Sequence, residues 1–317
     1  MIVKQLLLLI LGLFSIAESM GTTFQDPVKI ACVGNSITYG SGVANREKNA
    51  YPEQLQSMLG NTYQVRNFGV SGSTLLKNGD KPYLETEAYS NALKFKPDIV
   101  FIKLGTNDSK LSNRVHLNNF EGDYIDLVNS FKKENGNARI ILLLPVPAFT
   151  TDTTRIWNEV IKNKITPMTR RVAYKTNSEV LDLYQLFIDQ PGLLPDKIHP
   201  SSLGATVIAK RIYEAVIQNE IEKIDILKSK EVKVSETANF YGYNLTDFEY
   251  KGIPCKVVKP KKVAPGTPWV LRARFWGHEP QTDIALLERG FHIAYCDVAN
   301  LFGGPEAMKR WDRFYGL

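Results

Sequence analysis

The run Val28-Lys29-Ile30-Ala31-Cys32-Val33 leads straight into Gly34-Asn35-Ser36-Ile37-Thr38. A short, mostly apolar segment ending in glycine reads as a strand closing on a tight turn. Open α/β sheets carry their chemistry in the crevice beyond the carboxyl ends of the strands, so Ser36 stands where a nucleophile would. A serine is inert at neutral pH without a base, and the base needs an acid to orient it. Far downstream, Asp196-Lys197-Ile198-His199-Pro200 offers both, with His199 as base and Asp196 three positions before it.

Outward from this turn, residues 27–220 alternate strand and helix. Strand candidates are 28–33, 63–67, 98–104, 139–144 and 179–183, and helical patterns cover 52–59, 84–93, 120–133, 155–174 and 203–218. Segments 98–104 and 139–144 are nearly continuous apolar runs, as expected of strands covered on both faces. The alternation predicts an α/β domain built on a five-stranded parallel sheet with helices on either side.

Acyl transfer through serine also needs donors for the oxyanion. Gly72, in a loop after the second strand, lets a backbone N–H approach a substrate oxygen with no Cβ in the way. Asn107, in Gly105-Thr106-Asn107-Asp108 after the third strand, offers a side-chain amide, and the Ser36 N–H is a third donor. Each fragment alone also reads as ordinary turn chemistry. Together they all follow predicted strands, in the order the topology requires.

The four blocks resemble the SGNH (GDSL-type) hydrolase family, whose blocks carry serine, glycine, asparagine and histidine. Gly34-Asn35-Ser36-Ile37-Thr38 matches the first and implies Ser36 as nucleophile, and Gly72 matches the oxyanion glycine of the second. Gly105-Thr106-Asn107-Asp108 gives Asn107 the donor role, and Asp196-Lys197-Ile198-His199-Pro200 implies His199 as base with Asp196 as its partner. Asn35 departs from the pattern, since many members carry aspartate there, which touches the tuning of the site. The resemblance implies a flavodoxin-like three-layer α/β/α sandwich and ester hydrolysis through an acyl-serine with no cofactor. Exported members with this first block resemble carbohydrate acetylesterases, which implies an acylated carbohydrate as substrate. Tyr39, Tyr83 and Trp157 are candidates for sugar stacking or plain packing residues.

Residues 221–239 are charged, lack a strong pattern and read as a linker. Beyond them, 246–250 and 253–258 flank Lys251-Gly252 as a hairpin, 269–276 and 291–297 are strand candidates, and 282–288 and 305–315 are helical. Residues 240–317 resemble the opening strands of an α/β-hydrolase domain that is not completed, since the chain has no Gly-x-Ser-x-Gly elbow. That resemblance implies a truncated segment and a possible second hydrolase domain in the full-length gene product. The alternative is a small α+β accessory domain complete in itself.

Composition narrows the function classes. The 317 residues carry a net charge of +6, with 24 basic and 21 acidic residues through residue 220 and 15 and 12 after it. So even a spread, with no aromatic platform beside the basic stretch 256–262, argues against nucleic acid as a partner. Lys4, the apolar run 6–16 and Ala17-Glu18-Ser19 read as a signal peptide over residues 1–19. The expectation is a secreted or periplasmic protein with no stable membrane span after cleavage. Cys32, Cys255 and Cys296 form no disulfide framework, and Cys32 reads as a buried hydrophobe. The four histidines lack ligand spacing, so no metal site is expected. Two rivals fit the same pattern: a lysophospholipase or thioesterase with this machinery, and a noncatalytic carbohydrate-binding module that kept the fold.

Overall fold

A computed structural model describes residues 26–217, 226–264 and 267–317. The signal segment 1–19 lies outside the described residues, as does part of the expected linker.

Five parallel strands, β1 (Val28–Gly34), β2 (Tyr63–Gly69), β3 (Ile99–Lys103), β4 (Arg139–Leu143) and β5 (Glu179–Leu181), pair in the order β2-β1-β3-β4-β5. The helices that frame this sheet and its turns include α1 (Ser36–Tyr39), α2 (Tyr51–Leu59), α3 (Glu87–Lys94), α4 (Phe120–Glu134), α5 (Thr166–Lys175) and α6 (Ser202–Ile217). Successive strand residues point to opposite faces, so each apolar run feeds two cores. Ile30, Cys32, Phe101 and Ile141 pack with Leu55 of α2 and Ile208 and Ile212 of α6. Ala31, Val33, Val100 and Leu142 pack with Ala92 of α3, Tyr124 of α4 and Val172 of α5. The result is the expected three-layer, flavodoxin-like sandwich. Its strand order reverses between β1 and β3, which opens a crevice at their carboxyl ends.

Two helices start later than their patterns suggest. The 84–93 pattern becomes Glu87–Lys94, where the Thr86 side chain accepts from the Tyr89 N–H and sets the start. The 155–174 pattern opens with a turn at Asn158–Val160 and a π-turn at Ile161–Ile165 before α5.

A second sheet holds β6 (Val232–Phe240), β7 (Tyr243–Tyr250), β8 (Ile253–Lys259), β9 (Trp269–Arg272) and β10 (His292–Cys296) in the order β6-β7-β8-β10-β9. Only β9 and β10 run parallel, joined through α7 (Gln281–Glu288), and α8 (Pro305–Tyr315) follows. Lys251 and Gly252 take φ of 50° and 79°, the left-handed pair that closes a tight hairpin. One face buries Phe248, Cys255 and Val257 against Phe314 of α8, and the other buries Leu245, Val258 and Ile293 with Leu287 of α7.

Two expectations need correction here. The stretch 221–239 is not all linker, because β6 begins at Val232 and pairs with β7. It is an edge strand exposed along most of its length, so no apolar alternation announces it. The strand expected over 269–276 ends at Arg272, because Phe275, Gly277 and Glu279 all turn left-handed. Among the described residues no helix is long and apolar enough to cross a membrane.

Candidate active site

The nucleophile turn is squeezed between three strands. Asn35 caps α1, its Oδ1 accepting from the Ile37 N–H at 3.2 Å, and Ser36 is the first helical residue. The Asn35 backbone N–H donates to Lys103 O of β3 at 3.3 Å, and the Val70 N–H, just past β2, donates to Gly34 O at 2.9 Å. A Cβ on Gly34 would sit 2.6 Å from Lys103 O, so glycine is what lets the two backbones meet.

His199 reaches this turn from the loop before α6. Its Nε2 lies 2.9 Å from Ser36 Oγ and its Nδ1 2.6 Å from Asp196 Oδ2. The other carboxylate oxygen, Oδ1, accepts the Ile198 N–H at 2.9 Å and the His199 N–H at 2.6 Å. Burial pushes the Asp196 carboxyl up, but the hydrogen bonds from His199 and Ile198 outweigh it and hold the group below the ordinary carboxylate range. With Nδ1–H donated to this anion, Nε2 is left to accept a proton from Ser36.

Gly72 has φ of 82°, a left-handed conformation that glycine adopts without strain. The Asn107 side-chain Nδ2 donates to Ser73 O at 2.9 Å, which commits one amide hydrogen and leaves the other for a ligand. The hydroxyls of Ser41 and Ser71 meet at 2.8 Å and stitch the nucleophile loop to the Gly72 loop. Thus Ser36, His199 and Asp196 are in direct contact, and Asn107 is bonded to the neighbour of Gly72. The aromatic candidates divide. Tyr83 is fully buried and donates to Phe68 O at 2.7 Å, so it has no face for a sugar. Tyr39 is exposed under the Arg46 guanidinium, and Trp157 carries that of Arg114.

Two buried ionisable groups escaped the sequence reading. Lys103 is wholly inaccessible, and its Nζ donates to Thr106 Oγ1 at 2.8 Å and to Asn35 Oδ1 at 3.5 Å. Burial lowers its pKa to about 7. The available signal was a lysine closing the run Ile99-Val100-Phe101-Ile102. Asp108 accepts the Leu75 and Leu76 N–H groups at 2.9 and 2.8 Å, tying the Asn107 loop to the loop that follows Gly72. Burial raises its pKa to about 6 despite those bonds.

The model of the GDSL-like lipase/acylhydrolase family matches residues 32–207, more than half of the chain, a span that includes Ser36, Gly72, Asn107, Asp196 and His199. The chain belongs to that family. It is 37% identical over 220 residues to an acetylxylan esterase of Xylanibacter ruminicola, a match that covers 63% of this chain and 45% of that protein. The chain thus spans about half the length of this curated relative. Its fold is also similar to the acetyl xylan esterase AlAXEase, with TM-score 0.48 and 22% identity over 60% of this chain and all of that one. A carbohydrate acetylesterase of Sinorhizobium meliloti, Est24, aligns with TM-score 0.46 and 17% identity over 59% of this chain and 97% of that one.

Proposed function

We propose that the chain is a serine esterase that removes O-acyl groups, above all O-acetyl groups, from carbohydrates. The observation that carries this reading is the unbroken line from Ser36 Oγ through the His199 ring to Asp196, at 2.9 and 2.6 Å. His199 Nε2 takes the serine proton as Oγ attacks the acyl carbon. The Ser36 and Gly72 N–H groups and the Asn107 amide receive the negative charge on the carbonyl oxygen. His199 then returns its proton to the departing sugar hydroxyl. A water, deprotonated by the same imidazole, attacks the acyl-serine and frees the acid and the enzyme. One water is consumed, and no cofactor is needed.

The acetyl and carbohydrate part of the reading is supported by the 37% identity to an acetylxylan esterase. Export to the periplasm or medium is supported by the apolar segment after Lys4 alone. A panel of chromogenic esters of rising acyl length, run beside acetylated xylo-oligosaccharides, tests the proposal. Acetyl esters are expected to turn over fastest, and Ser36→Ala to lose about 10⁴-fold or more in kcat while staying folded. A preference for long acyl chains would turn the reading to a lysophospholipase or thioesterase. A folded Ser36→Ala protein keeping a tenth of the wild-type rate would remove Ser36 as nucleophile.

A further inference from the structure

A backbone N–H stabilises an oxyanion only when its peptide is held in the right orientation. The peptide that carries the Gly72 N–H joins Ser71 to Gly72, whose φ is 82°. No acceptor among the described residues takes this N–H, which leaves it open to a ligand. Across a trans peptide the carbonyl points opposite to the N–H. Whatever holds Ser71 O on one side therefore sets where the Gly72 N–H points on the other. Glycine makes such a hold necessary, because a residue without Cβ lets the peptide turn over cheaply.

Lys81 supplies the hold. Its Nζ donates to Ser71 O at 2.9 Å. Its stem lies over the glycine, since a Cβ built on Gly72 would come 3.7 Å from Lys81 Cδ. The backbone beneath Lys81 is fixed in turn. The Thr74 N–H donates to Lys81 O at 2.8 Å, and Thr74 O accepts the Tyr83 N–H at 2.9 Å. The Asp80 N–H donates to Asn113 Oδ1 at 2.8 Å, and Asn113 Nδ2 donates to Asn107 O at 2.9 Å. The segment bearing Lys81 is thus moored to both loops that carry candidate oxyanion donors. Asp80, the acid next to Lys81 in sequence, is engaged by Asn113 at 3.0 Å and by Lys110 at 3.1 Å. Ser71 is held from its other side by the 2.8 Å contact of its hydroxyl with Ser41.

We propose that Lys81 is a positioning residue for ester hydrolysis, its ammonium clamping the Ser71–Gly72 peptide so that the Gly72 N–H faces the oxyanion. The proposal rests on the esterase reading above, in which that N–H meets the carbonyl oxygen. Two effects act together. The bond to Ser71 O fixes the peptide plane before substrate arrives, so nothing need reorganise as charge builds. A charged donor on the carbonyl also draws electron density from the amide, which makes the N–H on the far side a stronger donor. A neutral ester feels little of either, so the gain falls on the transition state.

The test uses the intact protein and a chromogenic acetate ester, with Ser36→Ala as the blank. Lys81→Met keeps the stem over Gly72 and removes the ammonium, and at this exposed position it opens no cavity. It is expected to lose about tenfold in kcat with KM nearly unchanged, less than the ~10²–10³ that follows loss of a whole donor. Lys81→Arg restores a charged donor and is expected to recover most of the rate. A trifluoromethyl ketone gives a readout that a purely structural role would not move. Ser36 Oγ adds to its carbonyl carbon, His199 takes the hydroxyl proton, and the former carbonyl oxygen becomes a bound oxyanion. Its affinity is expected to fall in Lys81→Met by about the same factor as kcat. Wild-type kcat in Lys81→Met would overturn the clamp. So would equal losses in the methionine and arginine variants, or a slower methionine variant that binds the ketone as tightly as wild type. Hydrolysis that survives in Ser36→Ala would instead remove the esterase site itself, and the clamp with it.

Discussion

At Lys103 the chain closes a core strand with a lysine whose hydrogen-bond partners among the described residues are Thr106 and Asn35. Desolvation lowers its pKa from 10.5 to about 7, so between those values the unfolded chain holds a proton that the native chain has released. Stability from this group therefore rises as pH climbs through about 7 toward 10.5. Lys103→Met keeps an unbranched apolar stem and removes the charge. The variant is expected to melt higher than wild type near pH ~6 and to lose the alkaline rise. An unchanged slope of melting temperature against pH would show that Lys103 is not the titrating group. The candidate triad was legible because acyl transfer through serine needs those residue types at strand ends, and the structure brings Ser36, His199 and Asp196 into contact. The depth of Lys103 was not, since a lysine at a strand end looks the same in sequence whether its tip reaches water or the core.

The first-sheet strands were legible for a similar reason: runs covered on both faces, such as 99–103 and 139–143, have few other uses. The edges β6 and β9 were read poorly because edge strands owe their pairing to a neighbour's backbone rather than to their own apolar pattern. Contacts between elements add a constraint that no periodicity displays. The end of β2 presses on the nucleophile turn so closely that a Cβ on Gly69 would lie 2.1 Å from Tyr39 N and 2.6 Å from Thr38 C. Both are backbone atoms and cannot swing aside. Gly69→Ala is expected to destabilise by roughly 1–3 kcal/mol and to lower kcat more than it raises KM, because the turn bearing Ser36 must move. Gly122→Ala in α4 is the control. Nothing lies within 4 Å of its added Cβ, so helix propensity alone predicts a gain of roughly 0.5–1 kcal/mol. Denaturant melts and initial rates on both variants check the pair. Equal effects would mean that the β2–turn contact is not what the Gly69 variant disturbs.

Across the whole molecule, the second sheet is not hung on a passive tether. Gly242 presses on the backbone of Arg170 in α5, whose guanidinium donates to Tyr241 O at 3.4 Å and pairs with Asp182 at 2.5 Å. Arg211 of α6 meets Glu288 of α7 at 3.5 Å, with both side chains almost fully buried. Two units were expected because residues 221–239 are charged and patternless, and charge pairs between distant helices leave no pattern in sequence. Burial raises the Glu288 pKa from 4.5 to about 7, with the nearby Asp182 adding to it and the arginines only partly opposing. An acid whose folded pKa is raised binds more protons in the native state between those two values. Its contribution to stability therefore falls as pH rises from about 4.5 through about 7. Glu288→Gln keeps the shape and an acceptor for Arg211 while removing the titration. Melting curves at acid and alkaline pH are expected to show a smaller alkaline loss in the variant and a higher midpoint than wild type near pH ~8. A variant that melts lower than wild type near pH ~8 would instead mean that the ion pair across the two sheets outweighs the desolvation of its carboxylate.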